Sequence, residues 1–294
     1  MSDYVIPKEQ VQEAMQLAKR KSELPVRDML IRGTLAGAFL GYATALVFMV
    51  LSQGLPPIVG AMVFPVGFVI LVLLGLELVT GNFALLPAGL MAGTVSFPKL
   101  LRNLGWVYFG NLIGSLLFAV LFFLAITNFR TGNGGPIAEL IRQAAIKKTT
   151  TYASLGLSGW GTAFIKAILC NWMVTIGAML ALASRSTVGK IVAMWLPIMT
   201  FFALGFEHSV VNMFLIPSGM ILGAPISLTQ FVLWNLLPVT LGNLCAGALL
   251  TGIALYATYP SEAAGTSKLA ARTTAVSPDP QPAFAAPSAS LNPM

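Results

Sequence analysis

The sequence states one motif twice. GLELVTGNFALLPAG occupies residues 75–89, and GFEHSVVNMFLIPSG occupies residues 205–219. Gly75, Glu77, Asn82, Leu85, Pro87 and Gly89 are answered by Gly205, Glu207, Asn212, Leu215, Pro217 and Gly219, each 130 residues later. The echo continues in FGNL at 109–112 and LGNL at 241–244, now at an offset of 132. Pro65 and Pro197, also 132 residues apart, open the apolar runs that lead into the two motifs. The chain is an internal duplication, and each copy carries a carboxylate inside a hydrophobic segment. Few folds tolerate that, because an isolated buried charge is very expensive.

Composition names the solvent. Of 294 residues 56% are hydrophobic and only 9% are charged, with mean hydropathy +0.82, whereas soluble domains carry about 25% charged residues. A bilayer core about 30 Å thick needs roughly 20 apolar residues per helix, and this chain has room for several. The net charge of +7 does not point to a nucleic acid, since the basic residues cluster at the ends of apolar runs, as the positive-inside rule expects. Cys170 and Cys245 both lie within apolar segments, so no disulfide framework is expected. No secretory signal is expected either: 32 polar-rich residues, five of them acidic, precede the first apolar run.

Residues 1–32 contain an amphipathic helix from about Pro7 to Lys21, with Val11, Ala14, Met15 and Ala18 on one face. Its expected place is the cytoplasmic membrane surface, or alternatively a gate. From Gly33 to Leu76 no charge occurs in 44 residues, too many for one span, and SQGLPP at 52–57 supplies the break. Span 1 is then about 33–52. Span 2 starts near Val59, is interrupted at Gly75–Asn82 and resumes to about Gly93. Span 3 covers about 104–127. A connection at 129–160 holds a short polar helix from about Pro136 to Lys148. Span 4 covers about 161–183; span 5 starts near Ile191, breaks at Gly205–Ser209 and resumes to about Leu222; span 6 covers about 229–257. Residues 259–294, rich in Pro, Ala and Ser, are expected to form a disordered cytoplasmic tail.

The expected architecture is an all-α membrane protein with six transmembrane helices across 33–258. Repeat A covers about 33–128 and repeat B about 161–258. Three spans per copy force the second copy to enter the membrane upside down, and inverted repeats with an interrupted helix in each half point to a transport site at the midplane. With the N-terminus inside, twelve Lys and Arg residues fall on the cytoplasmic side and four on the other, so both termini are expected in the cytoplasm of a cell (inner) membrane.

Glu77, Lys166, Glu207 and His208 are the ionisable residues expected inside spans. Each would need a partner, water or a function, and unwound backbone at membrane depth is tolerated only beside a cavity or buried in protein. Glu77 and Glu207 occupy equivalent positions, which suits a shared structural duty: anchoring each break through a basic partner. Lys166 either snorkels to an interface or serves the site. His208 breaks the symmetry, because its mate is Leu78. A lone imidazole beside a helix break is a candidate proton or hydrogen-bond donor to an anion, the alternative being a hydrogen-bonded core histidine. Thr80 offers a hydroxyl and Asn171 an amide. One His and no paired Cys do not compose a zinc site, adjacent Glu207, His208 and Ser209 do not face one another as a triad would, and no phosphate-binding glycine loop is present. Neither a metal, nor a cofactor, nor an enzyme is expected.

Taken together, EHSVVNMF at 207–214 with Ile216 and Pro217, GLELVTGN at 75–82, YFGN at 108–111, CNWM at 170–173 and PVTLGN at 238–243 resemble the formate/nitrite transporter family over about residues 10–258. The resemblance implies a homopentamer of six-helix, aquaporin-like protomers, each with its own pore for a small monovalent anion, often moved with a proton. It matches His208 to the family's central histidine, Thr80 to the span-2 threonine and Asn171 to the span-4 asparagine. Phe64, Phe68, Leu78, Val79 and Phe201 match the apolar constrictions. Val79 stands where the family commonly has Phe. Lys21 matches a basic residue beside the span-2 carboxylate; the equivalent lysine before span 4 is replaced by Leu155, with Lys147 and Lys148 the nearest candidates for Glu207. The function expected is transport of a weak-acid anion, formate or nitrite foremost, with bicarbonate or lactate as alternatives. A neutral-solute channel of aquaporin type would share six spans and two breaks, but its Asn-Pro-Ala signature is absent; a membrane-embedded enzyme would use Glu207 and His208 as acid and base.

Overall fold

The computed structural model describes residues 3–259, so the tail expected from residue 259 onward lies outside the described residues apart from Tyr259. The described chain is helical: α1 Pro7–Ser22, α2 Val26–Ser52, α3 Pro57–Val63, α4 Pro65–Leu73, α5 Val79–Met91, α6 Phe97–Ile126, α7 Gly135–Lys148, α8 Thr150–Ser154, α9 Leu157–Leu180, α10 Thr187–Ala203, α11 Ser209–Ile221 and α12 Leu228–Thr258. The last helix contains π-helical turns at Val232–Leu236 and Ala246–Ile253. Among the described residues α2, α6, α9 and α12 are long and apolar enough to cross a membrane, and the apolar stretches Pro57–Leu73, Val79–Met91, Thr187–Ala203 and Ser209–Ile221 are shorter.

Both breaks arise from the same local chemistry. Gly75 (φ +64°) and Gly205 (φ +67°) adopt the left-handed conformation that ends a helix. The following amides reach back, Leu76 N–H to the Leu71 carbonyl at 2.9 Å and Phe206 N–H to the Phe201 carbonyl at 3.2 Å. This is the glycine-terminated Schellman closure. The chain then extends at Leu78 (φ −114°, ψ 118°) and at His208 (φ −115°, ψ 121°) before the helix restarts. The unwound stretches are therefore 74–78 and 204–208, shorter than the sequence pattern suggests: Thr80 and Asn82 lie in the first turn of α5, and Ser209 opens α11. Helix resumes early because a side chain accepts the first free amide of each half-helix, as described below.

Small residues set how closely the long helices cross. A methyl group on Gly37 of α2 would collide with the Asn111 carbonyl of α6, and one on Gly114 of α6 with the Thr34 carbonyl of α2. Gly242 of α12 stands likewise against the Phe164 carbonyl of α9. The two copies then exchange partners. Helix α12 packs on α5, where Gly252 abuts the Ala84 carbonyl, while α6 packs on α11.

Helix α1 packs on the half-helix α5. Its apolar face, Val11, Ala14, Met15 and Ala18, is buried against Leu85, Leu86 and Ala88 of α5 rather than left for lipid. Val95, Leu100 of α6 and Met179 of α9 complete the cluster around this half-helix. Helix α7 packs on α11 in the same way, burying Ile137, Ala138, Ile141 and Ala145. The chain ahead of α1 is tied to the α9–α10 turn. The Asp3 carboxylate accepts from the Ser184 hydroxyl (2.9 Å), Arg185 N–H (2.8 Å) and Ser186 N–H (2.6 Å), and Arg185 pairs with Glu13 of α1.

Two expectations follow. Gly114→Val should abolish monodisperse protein in size-exclusion chromatography, since forcing atoms into a close crossing costs about 1–3 kcal/mol even where the core can yield, and backbone cannot move aside here. Gly105→Val, facing open space on the same helix, should behave as wild type. The Ser184, Ser186 and Arg185 donors hold the Asp3 carboxyl below its ordinary 3.8, so the anchor is present above the ordinary aspartate range and is lost as pH falls through the lowered folded value. Hydrogen exchange at the Ser186 amide should be slow at neutral pH and accelerate in Asp3→Ala; equal protection would remove the anchor.

Candidate functional site

The polar groups of each break are met by one asparagine from the second long helix of the same copy. Asn111 accepts from Val79 N–H (3.0 Å) and donates to the carbonyls of Glu77 (2.8 Å) and Gly33 (2.9 Å). Asn243 accepts from Ser209 N–H (2.9 Å) and donates to the carbonyls of Glu207 (3.0 Å) and Ala167 (2.9 Å). Both asparagines are fully buried. A side-chain amide suits this task because it carries donor and acceptor without charge.

The carboxylates sit in a second duplicated network. Glu77 accepts from Lys21 Nζ at 2.7 Å and Asn82 Nδ2 at 2.9 Å, and Asn82 also donates to Asn103. Glu207 accepts from Lys148 Nζ at 2.8 Å and Asn212 Nδ2 at 2.7 Å, and Asn212 also donates to Asn235. Asn103 and Asn235 close the ring on the backbone carbonyls of Lys21 and Lys148. The basic partner of Glu207 is thus Lys148, not Lys147, and it lies in the last turn of α7 as Lys21 lies in the last turn of α1. Glu207 gains two contacts that Glu77 lacks, the Tyr152 hydroxyl at 2.8 Å and Asn235 Nδ2 at 3.4 Å. Lys166 is half-buried, its Nζ 6.0 Å from the Tyr152 ring centre.

Sequence reasoning missed Asn103, Asn235 and Tyr152. The two asparagines repeat at the same offset of 132 as Asn111 and Asn243, so the duplication carried their signal. Tyr152 carried none: at the offset of 127 that relates Lys21 to Lys148, its counterpart is Pro25.

The two copies meet where their side chains differ. Thr80 Oγ1 lies 3.1 Å from His208 Nε2, a pair 128 residues apart in sequence. His208 Nδ1 accepts from Val211 N–H at 3.2 Å and so caps α11. The hydrogen-bond network therefore assigns the proton of the neutral imidazole to Nε2, which donates to Thr80 and leaves the Thr80 hydroxyl proton for another acceptor. An imidazolium would turn a second N–H toward Val211 N–H and forfeit the cap. Asn171 Nδ2 donates to the carbonyls of Thr80 (3.1 Å) and Asn243 (2.7 Å), while its Oδ1 is buried without a partner.

Apolar side chains enclose the pair. Phe201 stacks on the His208 ring with centroids 5.9 Å apart, and Phe64 meets Phe201 edge-on at 5.8 Å. Phe64, Phe68, Leu78, Val79 and Phe201 are all buried in one cluster. Beyond Leu78 lies a cavity of about 380 Å³ bounded by α1, α4, α5, the first break and the end of α9; Phe68, Leu78, Glu77 and Lys21 are on its wall, Thr80 and His208 are not.

The family description for formate/nitrite transporters matches residues 8–257. A probable formate transporter of Methanothermobacter thermautotrophicus is 35% identical over 279 residues, covering 89% of this chain and 99% of its own. Among solved structures, an FNT family ion channel superposes with a TM-score of 0.74 at 27% identity, covering 86% of this chain and 99% of its own. A pentameric formate channel with formate bound superposes at 0.66 and 24% identity, covering 80% and 98%, a likeness of fold. With two matching breaks and a family match running from α1 almost to the end of α12, this chain belongs to the formate/nitrite transporter family.

Proposed function

We propose that this integral membrane protein conducts a small monovalent weak-acid anion, formate foremost, and lowers its charge at the Thr80–His208 pair as it crosses. The observation that carries the reading is that pair itself: a donor hydroxyl 3.1 Å from a buried imidazole, between two broken helices and walled by phenylalanines. A bare anion is expensive among Phe201, Phe64, Phe68, Leu78 and Val79, because desolvating a charge costs far more than the hydrogen bonds of a neutral acid. The hydroxyl of Thr80 donates to the arriving anion, and the Nε2–H of His208 holds Thr80 in that orientation. The carbonyl oxygen of Asn171 accepts the O–H of the protonated acid. A proton from solution moves with the anion, either already on the acid or by way of the imidazole when the Val211 cap opens. The relatives' formate names support formate over the bicarbonate or lactate alternatives.

In the same reading α2, α3–α5, α6, α9, α10–α11 and α12 are six spans in two inverted copies, and five protomers assemble. The exchange of partners between copies supports the inversion. The exposed flanks of the long helices, with Tyr42, Trp106, Phe109 and Leu121, suit lipid and neighbouring protomers. Both termini lie in the cytoplasm of a cell (inner) membrane, as the twelve-to-four bias of basic residues favours. Glu77 and Glu207 hold the breaks and do not touch the anion.

That last assignment is tested by Glu207→Ala. Removing one partner of a buried pair costs about 3–5 kcal/mol, so folded yield should collapse, more than in Glu77→Ala, because Tyr152 and Lys148 both lose their acceptor. A stable variant with altered anion preference would sink the assignment.

His208→Asn tests the mechanism. Asparagine is a good helix cap, so Val211 N–H keeps an acceptor and the variant should fold normally. In proteoliposomes it should admit formate, while uptake driven by a pH gradient falls about ten-fold or more and its pH profile flattens. Adding Thr80→Ala should cost little further if the two act as one unit. Wild-type uptake and pH profile in His208→Asn would end the proposal.

A further inference from the structure

We propose that the 380 Å³ cavity beside α1 binds a second kind of ligand: a medium-chain alkyl monocarboxylate, of which octanoate is the type, seated as a plug above the first break. Its volume falls in the range that encloses drug-sized ligands, roughly 300–1,000 Å³, far beyond what formate, with three heavy atoms, requires. Much of its wall is aliphatic. Leu17 and Leu24 line it from the α1 side, Leu71 and Leu76 from α4 and the break, and Leu182 from beyond α9. Aliphatic surface of this kind rewards an alkyl chain and gives a bare anion nothing.

The charges on the same wall select the head group. The lining holds three cations, Arg20, Lys21 and Arg32, and one carboxylate, Glu77. Lys21 and Glu77 cancel each other in an ion pair of 2.7 Å. Arg32 is shared only loosely with Asp28, at 3.6 Å and 42% exposed, and Arg20 is exposed. A positive outer end over an apolar interior is complementary to a monoanion with a tail, and guanidinium groups are well matched to a carboxylate. The wall is also pre-organised, since α1 is buried against α5 and fixed ahead of its first turn by Asp3, which reduces the ordering that binding must supply. The carboxylate then rests at Arg20 and Arg32 and the chain lies along the leucines toward Phe68 and Leu78. Binding stands apart from the transport reading; the consequence that octanoate blocks formate flux from the α1 side rests on it.

The test is equilibrium dialysis of ¹⁴C-labelled hexanoate, octanoate and decanoate against the full chain in nanodiscs, with empty nanodiscs subtracted. Saturable binding at one per chain is expected, tightening about four-fold for each added methylene, the increment of a buried CH₂. The double variant Arg20→Gln, Arg32→Gln should weaken octanoate about ten-fold or more, and Ala178→Trp, which fills the cavity from α9, should remove saturable binding. Labelled 1-octanol supplies a control that needs no variant: it should bind at least about ten-fold more weakly than octanoate. Octanoate uptake equal to that of empty nanodiscs, or 1-octanol binding as tightly as octanoate, overturns the proposal. Formate flux is measured in parallel. Saturable octanoate binding without formate flux leaves this site standing and removes the transport reading; flux without saturable binding does the reverse.

Discussion

Everything in this structure depends on meeting the backbone polar groups of two broken helices. A helix broken in a bilayer exposes amides and carbonyls that each cost several kcal/mol if left unmet. Glycine at 75 and 205 turns the chain back so that the first half-helix closes on itself. One buried asparagine per copy then accepts from the first amide of the second half-helix and donates to the carbonyls at Glu77 and Gly33, or at Glu207 and Ala167. The clamp ties the break to the two long helices of its own copy. That is why α2 and α6, and α9 and α12, must cross as closely as their glycines allow: a longer approach would put the asparagine out of reach. Packing and polar satisfaction are one requirement here.

A duplicated scaffold also explains how an asymmetric site is made. The backbone at Leu78 and at His208 is the same within a few degrees, so each copy presents its next residues in equivalent directions. The side chains then diverge. Leucine, valine and threonine at 78–80 face histidine, serine and valine at 208–210. Because α5 packs against helices of the second copy and α11 against those of the first, the threonine of one copy meets the histidine of the other. A single substitution at either position creates a heterologous pair without disturbing the frame that holds it.

Much of this was legible in the sequence because the duplication repeats both pattern and chemistry. Glycine, glutamate and asparagine at a constant offset marked the breaks, and the mismatch of His208 with Leu78 marked the centre. What was not legible had two physical causes. The offset drifts, from 127 between Lys21 and Lys148 to 130 at the motifs and 132 at the asparagines, because connecting segments differ in length while the packed elements do not. That drift hid the equivalence of α1 with α7, and with it the identity of Lys148. The extent of each break was overestimated because a side chain from a distant helix decides where helix resumes; nothing local to Val79 or Thr80 announces Asn111. Tyr152 belongs to no pattern, since it answers a need of the second copy alone.

The ionisable groups of the two breaks stand in different surroundings. Glu77 and Glu207 are each held by a lysine and an asparagine at 2.7–2.9 Å, so each carboxylate is paired and hydrogen-bonded where it is buried. His208 stands differently. Its polar contacts are Thr80 and Val211, so a second ring proton would give up a helix cap, on the scale of about 0.5–2 kcal/mol, in addition to the cost of placing a charge among apolar side chains. The two locked carboxylates fix the breaks without hydrogen-bonding to the histidine. The frame thus leaves the imidazole free of a counter-charge and holds it in the tautomer that caps α11.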